Sequence, residues 1–215
     1  KNFKLTGASS ICNSPNTSNF SIAGINNPCA GVDSALVNIS SSSLSSGNYI
    51  ITYNLAGSNS YSNLTANMSF ASGTGSFKIP SSKLTIGGLT QLQITRVGNS
   101  PSCFTTLSAN NTFQFTVLTG PPPTPGLISG QDSVCLNSSG NTYQIAAMTN
   151  VTGYTWSVPA GWTLNSGNGT NSISSSAGSA AQPGNITVAA INACGTGSAN
   201  MKYVILKTKI GRAHV

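Results

Sequence analysis

Glutamate is absent from this chain, aspartate occurs only at Asp33 and Asp132, and histidine occurs only at His214. General acid–base catalysis needs a titrating side chain held beside a partner, and neither partner set can be assembled from such a supply. A Ser-His-Asp triad and a paired-carboxylate glycosidase site both lack parts. A histidine-ligated metal site and a carboxylate cage for calcium fail for the same reason. The many serines do not compensate, because a serine without a base is a weak nucleophile, and Lys78 and Lys83 sit in no motif that would depress a lysine pKa. No catalytic residue, cofactor site or metal site is expected.

Charge of either sign is scarce as well, at 5% of residues, where globular chains carry roughly a quarter. The formal net charge is +7, but it sits at the two ends. Between residues 25 and 200 the charged side chains are Lys78, Lys83 and Arg96 against Asp33 and Asp132. No basic stripe forms, so nucleic-acid binding is not expected. A membrane span of about 18 apolar residues is also missing, so membrane insertion is not expected.

What remains is Ser, Thr, Asn and Gly, interrupted by short apolar alternations that can bury one face of a strand. Between residues 25 and 119 seven strands can be placed: Ile22 to Ile25 leading in, Ala35 to Ile39, then the period-2 set Tyr49, Ile51, Tyr53 and Leu55. Leu64, Ala66, Met68 and Phe70 follow, then Phe77 with Ile79, Leu92 with Ile94, and Phe113, Phe115 and Val117. Turn residues separate them and no helical period is sustained, the pattern of an immunoglobulin-like β-sandwich. Gly120 to Gly126, GPPPTPG, lacks the N–H donors a central strand needs and predicts a semi-rigid polyproline linker. Residues 127–206 form a second unit with strands at Thr142 to Ala146, Tyr154 to Val158, Asn185 to Ile191 and Ala199 to Leu206.

Within that second unit, SVCLNSSGNTYQI, GYTWSVPAGWTLNSGNGTNSI and GNITVAAINACGTGSA follow one another. With Trp156, Pro159 to Trp162, Asn192 and Cys194-Gly195 in that order, the segment resembles the PKD-like repeats of large secreted cell-surface proteins of Bacteroidota, adhesin-like and associated with type IX secretion. The first unit resembles a companion Ig-like repeat more loosely, through NPCAG at Asn27 to Gly31 and GNYIITYNLAG at Gly47 to Gly57. The fold class expected is therefore all-β, with tandem Ig-like (PKD-like) β-sandwiches joined by a Pro-rich linker. Ser174 to Ser176 replace the alternating Val and Thr usual in such repeats, which predicts a short or frayed strand there.

Both ends read as cut. Lys4 to Ile22 resembles Gln93 to Val117, with Cys12 on Cys103 and Phe20 on Phe115, so residues 1–24 are expected to be the closing hairpin of a preceding repeat. Residues 207–215 are expected to be a truncated end. Its last six residues, IGRAHV, are what one frame of a sequencing adapter encodes, which would remove His214 from the protein proper.

The repeat boundaries pair the five cysteines as Cys29 with Cys103 and Cys135 with Cys194, leaving Cys12 without its upstream partner. Disulfides imply an oxidising, extracellular setting; zinc would want close C-x2-C pairs with histidines, which are not present. Asp33-Ser34-Ala35 and Asp132-Ser133-Val134 match an O-glycosylation motif associated with Bacteroidota, making Ser34 and Ser133 candidate glycan carriers. Trp156 alternates with Tyr154 and Val158 and should be core. Trp162, after a Pro-Ala-Gly turn, is expected to pack over the end of the sandwich, with stacking on a sugar as the alternative; Tyr61, in the polar loop Gly57 to Asn63, is the tyrosine expected to be exposed and the second candidate for stacking.

The resemblance implies a secreted, non-catalytic segment that acts as a stalk or spacer in an adhesin-like protein, with neighbouring repeats, surface glycans or other cells as partners. The alternatives are a glycan-binding module, and accessory domains of a secreted hydrolase whose catalytic domain lies elsewhere.

Overall fold

The computed structural model describes residues 12–207. The beginning of the expected N-terminal hairpin and the IGRAHV tail with His214 lie outside the described residues. The chain divides into two compact units, one ending at Val117 and the other beginning at Leu118, and among the described residues the regular structure is β-strand with one short 3-10 turn, Ser81–Lys83.

The first unit is built from eight antiparallel strands: β1 (Phe20–Ile25), β2 (Ala35–Ser41), β3 (Gly47–Gly57), β4 (Tyr61–Ala71), β5 (Thr74–Ile79), β6 (Gly88–Ser100), β7 (Cys103–Thr106) and β8 (Thr112–Val117). Their order is β1-β2-β5-β4-β3-β6-β7, with β8 also on β6. The long β6 serves both closing strands: Gly88 to Gln93 face β8, and Arg96 to Ser100 face β7. The change of partner falls at a bulge, where Thr95 is the extra residue and its hydroxyl donates to the Thr52 carbonyl (3.1 Å); bulges bend strands in this way. β1 comes to lie against β8, closing the sheet over a core that includes Ile39, Ile51, Tyr53, Phe70, Leu92, Ile94 and Phe115.

The alternation of β3 is realised as expected, with Tyr49, Ile51, Tyr53 and Leu55 all buried. The β4–β5 turn, Ser72-Gly73, carries two positive φ angles, +50° and +84°, which match the right-handed twist of a two-residue hairpin.

Residues 12–24 do not behave as the tail of a preceding domain. β1 pairs with β2 from Phe20↔Ser41 to Ile25↔Val37, and Phe20 is in the core. Upstream of it, the Thr105 hydroxyl donates to the Pro15 carbonyl (2.5 Å) and the Asn99 carboxamide to the Asn13 carbonyl (3.0 Å). The similarity to residues 93–117 reflects two polar, cysteine-bearing stretches followed by alternating strands, a pattern that does not specify the strand's partner.

The second unit is a sandwich of two sheets. Its strands are β9 (Ser129–Gly130), β10 (Ser133–Cys135), β11 (Ser138–Gln144), β12 (Gly153–Ser157), β13 (Trp162–Ser166), β14 (Ser172–Ala177), β15 (Gly184–Asn192), β16 (Gly195–Thr196) and β17 (Asn200–Lys207). One sheet runs β10-β17-β15-β12 with β16 on β15, the other β13-β14-β11-β9. β10 and β17 are parallel, Ser133↔Ile205 to Cys135↔Lys207, while the other pairs are antiparallel. Between the sheets lie Tyr143, Trp156, Trp162, Ile173, Ile186, Val188 and Val204.

Two expectations are corrected here. β14, SISSSA, is neither short nor frayed: it pairs with β11 on one side and β13 on the other. Its inward positions are Ile173, Ser175 and Ala177, and the fully buried Ser175 hydroxyl donates to the Asn141 carbonyl (3.3 Å). A satisfied serine can occupy a core position at little cost. The stretch 120–126 is likewise not a free linker. The Asn192 carboxamide donates to the Gly120 carbonyl (3.0 Å), and the Asn200 carboxamide to the carbonyls of Pro125 (3.0 Å) and Gly126 (2.9 Å). Pro122 and Pro125 are buried, and a Cβ on Gly197 would overlap the Pro122 carbonyl. Proline removes donors but keeps its carbonyls, so asparagine side chains can hold such a segment where no strand ladder can.

Candidate functional site

The aromatic candidates resolve first. Trp156 is core, as expected, with Nε1–H donating to the Thr170 carbonyl (2.8 Å). Trp162 is 8% exposed, and its Nε1–H donates to the Gln182 carbonyl (2.9 Å). Both the face and the polar edge of that ring are occupied, so Trp162 offers no platform to a sugar. The Pro159 to Gly161 turn directs the chain inward: Trp162 N–H bonds back to the Pro159 carbonyl (3.2 Å) and Gly161 takes φ +76°, a conformation suited to glycine. Tyr61 opens β4, packs against the first core half-buried, and holds Lys83 Nζ 4.6 Å from its ring centroid. A cation over the face leaves little of it for stacking.

The cysteine pairing differs from expectation. Cys103 is bonded to Cys12, and Cys135 is an exposed free thiol, so neither Cys29 with Cys103 nor Cys135 with Cys194 forms. Cys103 opens β7, beside the segment 12–19 that Asn99 and Thr105 hold against the same hairpin; the nearest cysteine to it is therefore the upstream one. Cys135 lies opposite Lys207, on β10 at the end of its sheet, whereas Cys194 follows β15, with its N–H bonded to the Asn192 carboxamide oxygen (2.8 Å).

The two aspartates have structural work. Asp33 accepts from the Cys29 N–H (3.4 Å) in the turn that precedes β2, and Asp132 pairs with Lys202. Ser34 and Ser133, beside them, are half-buried. Among the described residues no three His, Cys, Asp or Glu side chains gather as a metal site, and no helix is long and apolar enough to cross a membrane.

Two tyrosines are perturbed by their surroundings. Burial raises the Tyr53 phenol from 10.0 to about 12. Burial, assisted by Asp132, raises Tyr143 to about 12. The Tyr143 hydroxyl has no hydrogen-bond partner among the described residues.

Asparagine was the missed signal. Asn59 is 2% exposed; its carboxamide donates to the Ile86 carbonyl (2.7 Å) and Thr90 hydroxyl (3.0 Å) and accepts from the Ile86 N–H (3.1 Å). Asn111 similarly donates to the Ile94 and Leu107 carbonyls. In a chain with little charge, neutral amides satisfy the loop backbone. Asparagine is frequent along the chain, and no local spacing marks Asn59 or Asn111 out.

Residues 121–205 match the family described as a PKD-like domain. The matched range includes both tryptophans and most of the asparagine-held proline segment, so its start agrees with the packing. No curated protein matches the chain. Similar solved structures include a chimeric titin Z1Z2 functionalized with a decorin peptide (12% identity, TM-score 0.36, covering 89% of this chain and 98% of that one). A marsupial T cell receptor gives 10%, 0.37, 89% and 74%. The SGBP-B protein of the Bacteroides ovatus mixed-linkage glucan utilization locus, in complex with a mixed-linkage heptasaccharide, gives 12%, 0.28, 90% and 46%.

Proposed function

We propose that the chain is a non-catalytic extracellular repeat segment that sets length and stiffness in an adhesin-like surface protein. The observation that carries this reading is where the aromatic and polar side chains are used. Both tryptophans are committed to the core of the PKD-like domain, and both aspartates to a turn and an ion pair. A PKD-like domain and a Cys12–Cys103 cross-link fit an oxidising, extracellular setting. Secretion, a bacterial surface and glycans on Ser34 and Ser133 belong to the same proposal.

The test separates spacing from binding. One or three copies of the chain are placed between a surface anchor and a known adhesive module, and bead capture is compared with that of unrelated Ig-like sandwiches of equal length. A spacer predicts capture that rises with copy number and is preserved by the unrelated sandwiches. Capture that needs this chain's own sequence, or ignores length, overturns the proposal.

A further inference from the structure

On the outer face of the first unit, a shallow groove of about 560 Å3 runs across β4, β3 and β6, within the size range of small-ligand sites. The register builds it. Thr65, Thr52 and Arg96 stand in one row across the three strands, and Asn67 and Ile50 in the next. Asn63 closes the end, held at φ +54° with its N–H bonded to the Asn54 carboxamide oxygen (2.8 Å).

Arg96 is the only cation of the groove. Its guanidinium lies 4.5 Å from the centroid of the Phe104 ring, which the neighbouring Gly98 makes room for: a Cβ there would meet Phe104 Cβ at 2.9 Å. This cation–π contact restrains the guanidinium, and its N–H donors make no hydrogen bond to the described residues. Among the described residues no acid pairs with Arg96: Asp33 is engaged at Cys29 and Asp132 at Lys202. The Thr65 hydroxyl and Asn67 carboxamide make no hydrogen bond to the described residues, and both are exposed. The groove thus offers one cation restrained by the Phe104 ring, neutral donor-acceptor pairs at two strand spacings of about 4.8 Å, and an aliphatic contact at Ile50.

We infer that this groove binds an acidic oligosaccharide, with Arg96 taking a uronate carboxylate in a bidentate pair while Thr52, Thr65, Asn63 and Asn67 exchange hydrogen bonds with ring hydroxyls. A carboxylate alone would need only the arginine; the adjoining hydroxyl and amide rows favour a polyol bearing the acid. The inference stands apart from the spacer proposal, which needs no ligand.

The test is calorimetric titration of the full chain with oligogalacturonate, with a neutral gluco-oligosaccharide of the same length, and with an oligo-aspartate peptide. Saturable binding of the uronate is expected, at least ten times tighter than that of the neutral sugar and weakened by raising salt. Arg96→Gln should lower affinity at least tenfold, and Asn67→Ala severalfold. Lys78→Gln, an exposed cation on β5, should change nothing. Unaltered thermal melting of each variant shows that the fold is kept. No uronate binding, equal loss on Lys78→Gln, or oligo-aspartate binding as tight as uronate and indifferent to Asn67→Ala would each overturn the inference.

Discussion

Replacing Trp162 by alanine separates a core tryptophan from a ligand platform. The ring is 8% exposed, lies against the second core, and bonds through Nε1–H to the Gln182 carbonyl. Truncating a buried Trp to Ala costs about 3–5 kcal/mol through lost transfer energy and the cavity left behind. The abandoned carbonyl adds about 1 kcal/mol where water does not reach it. Against a total of about 5–15 kcal/mol for a domain, Trp162→Ala should remove a large part of the second unit's stability. Both tryptophans of the chain are in that unit, so the emission of Trp156 follows its unfolding without interference from the first. With a urea slope of about 2 kcal/mol per molar, the midpoint should fall by about 2–3 M. Tyrosine absorbance should retain a transition from the first unit at its original midpoint. A fall of less than 0.5 M, or a wild-type Trp162 emission that iodide quenches as readily as a free indole, would refute the buried assignment.

Gly197→Val should cost about 2–4 kcal/mol, because the side chain overlaps the Pro122 carbonyl and the displaced segment forfeits the Asn192 and Asn200 bonds; unchanged proteolysis at Thr124 to Leu127 would show the segment free. Tyr143→Phe should stabilise the second unit by about 1 kcal/mol at neutral pH, since the hydroxyl is buried without a partner, and a loss of stability would reveal a bond the structure does not contain. Tyr53 and Tyr143 are raised from 10.0 to about 12 in the folded chain, so folding favours the neutral phenols. Their contribution is complete below about pH 10 and is lost as pH rises through 10 towards 12. Urea midpoints across that window should fall less steeply in Tyr53→Phe for the first unit, and identical slopes would contradict the burial. Iodoacetamide added to the native chain should alkylate Cys135 and spare Cys12 and Cys103, and peptide mapping that recovered Cys29 bonded to Cys103 would reject the pairing.

The fold class was legible because both strand types that build a sandwich carry their own signal. Tyr49 to Leu55 alternate over a full strand, and Asn185 to Ile191 do the same in the second unit, so burial of one face follows from period alone. What escaped was structure held by polar atoms. β14 has serine where a core wants valine, and Ser175 is admitted only because Asn141 lies opposite it with an acceptor. The proline segment looked detached because it cannot join a ladder, yet its carbonyls accept from two asparagines far along the chain. The cysteine pairing depended on how β1 docks, which places residues 12–19 beside the β6–β7 hairpin. Trp162 illustrates the same limit: a turn signal gives the place where the chain reverses but not which side of the sandwich the next ring enters. The Arg96 groove is a matter of register across three strands, and no local pattern encodes it.

The central claim, that these sandwiches serve by resisting extension, is tested most directly by pulling the chain end to end with and without reductant. Each unit should unfold in a discrete force peak once reduced. The Cys12–Cys103 bond spans 91 residues, so reduction should lengthen the stretched chain by about 30 nm or more at about 3.6 Å per residue. A smooth, featureless extension, or a length indifferent to reductant, would contradict it.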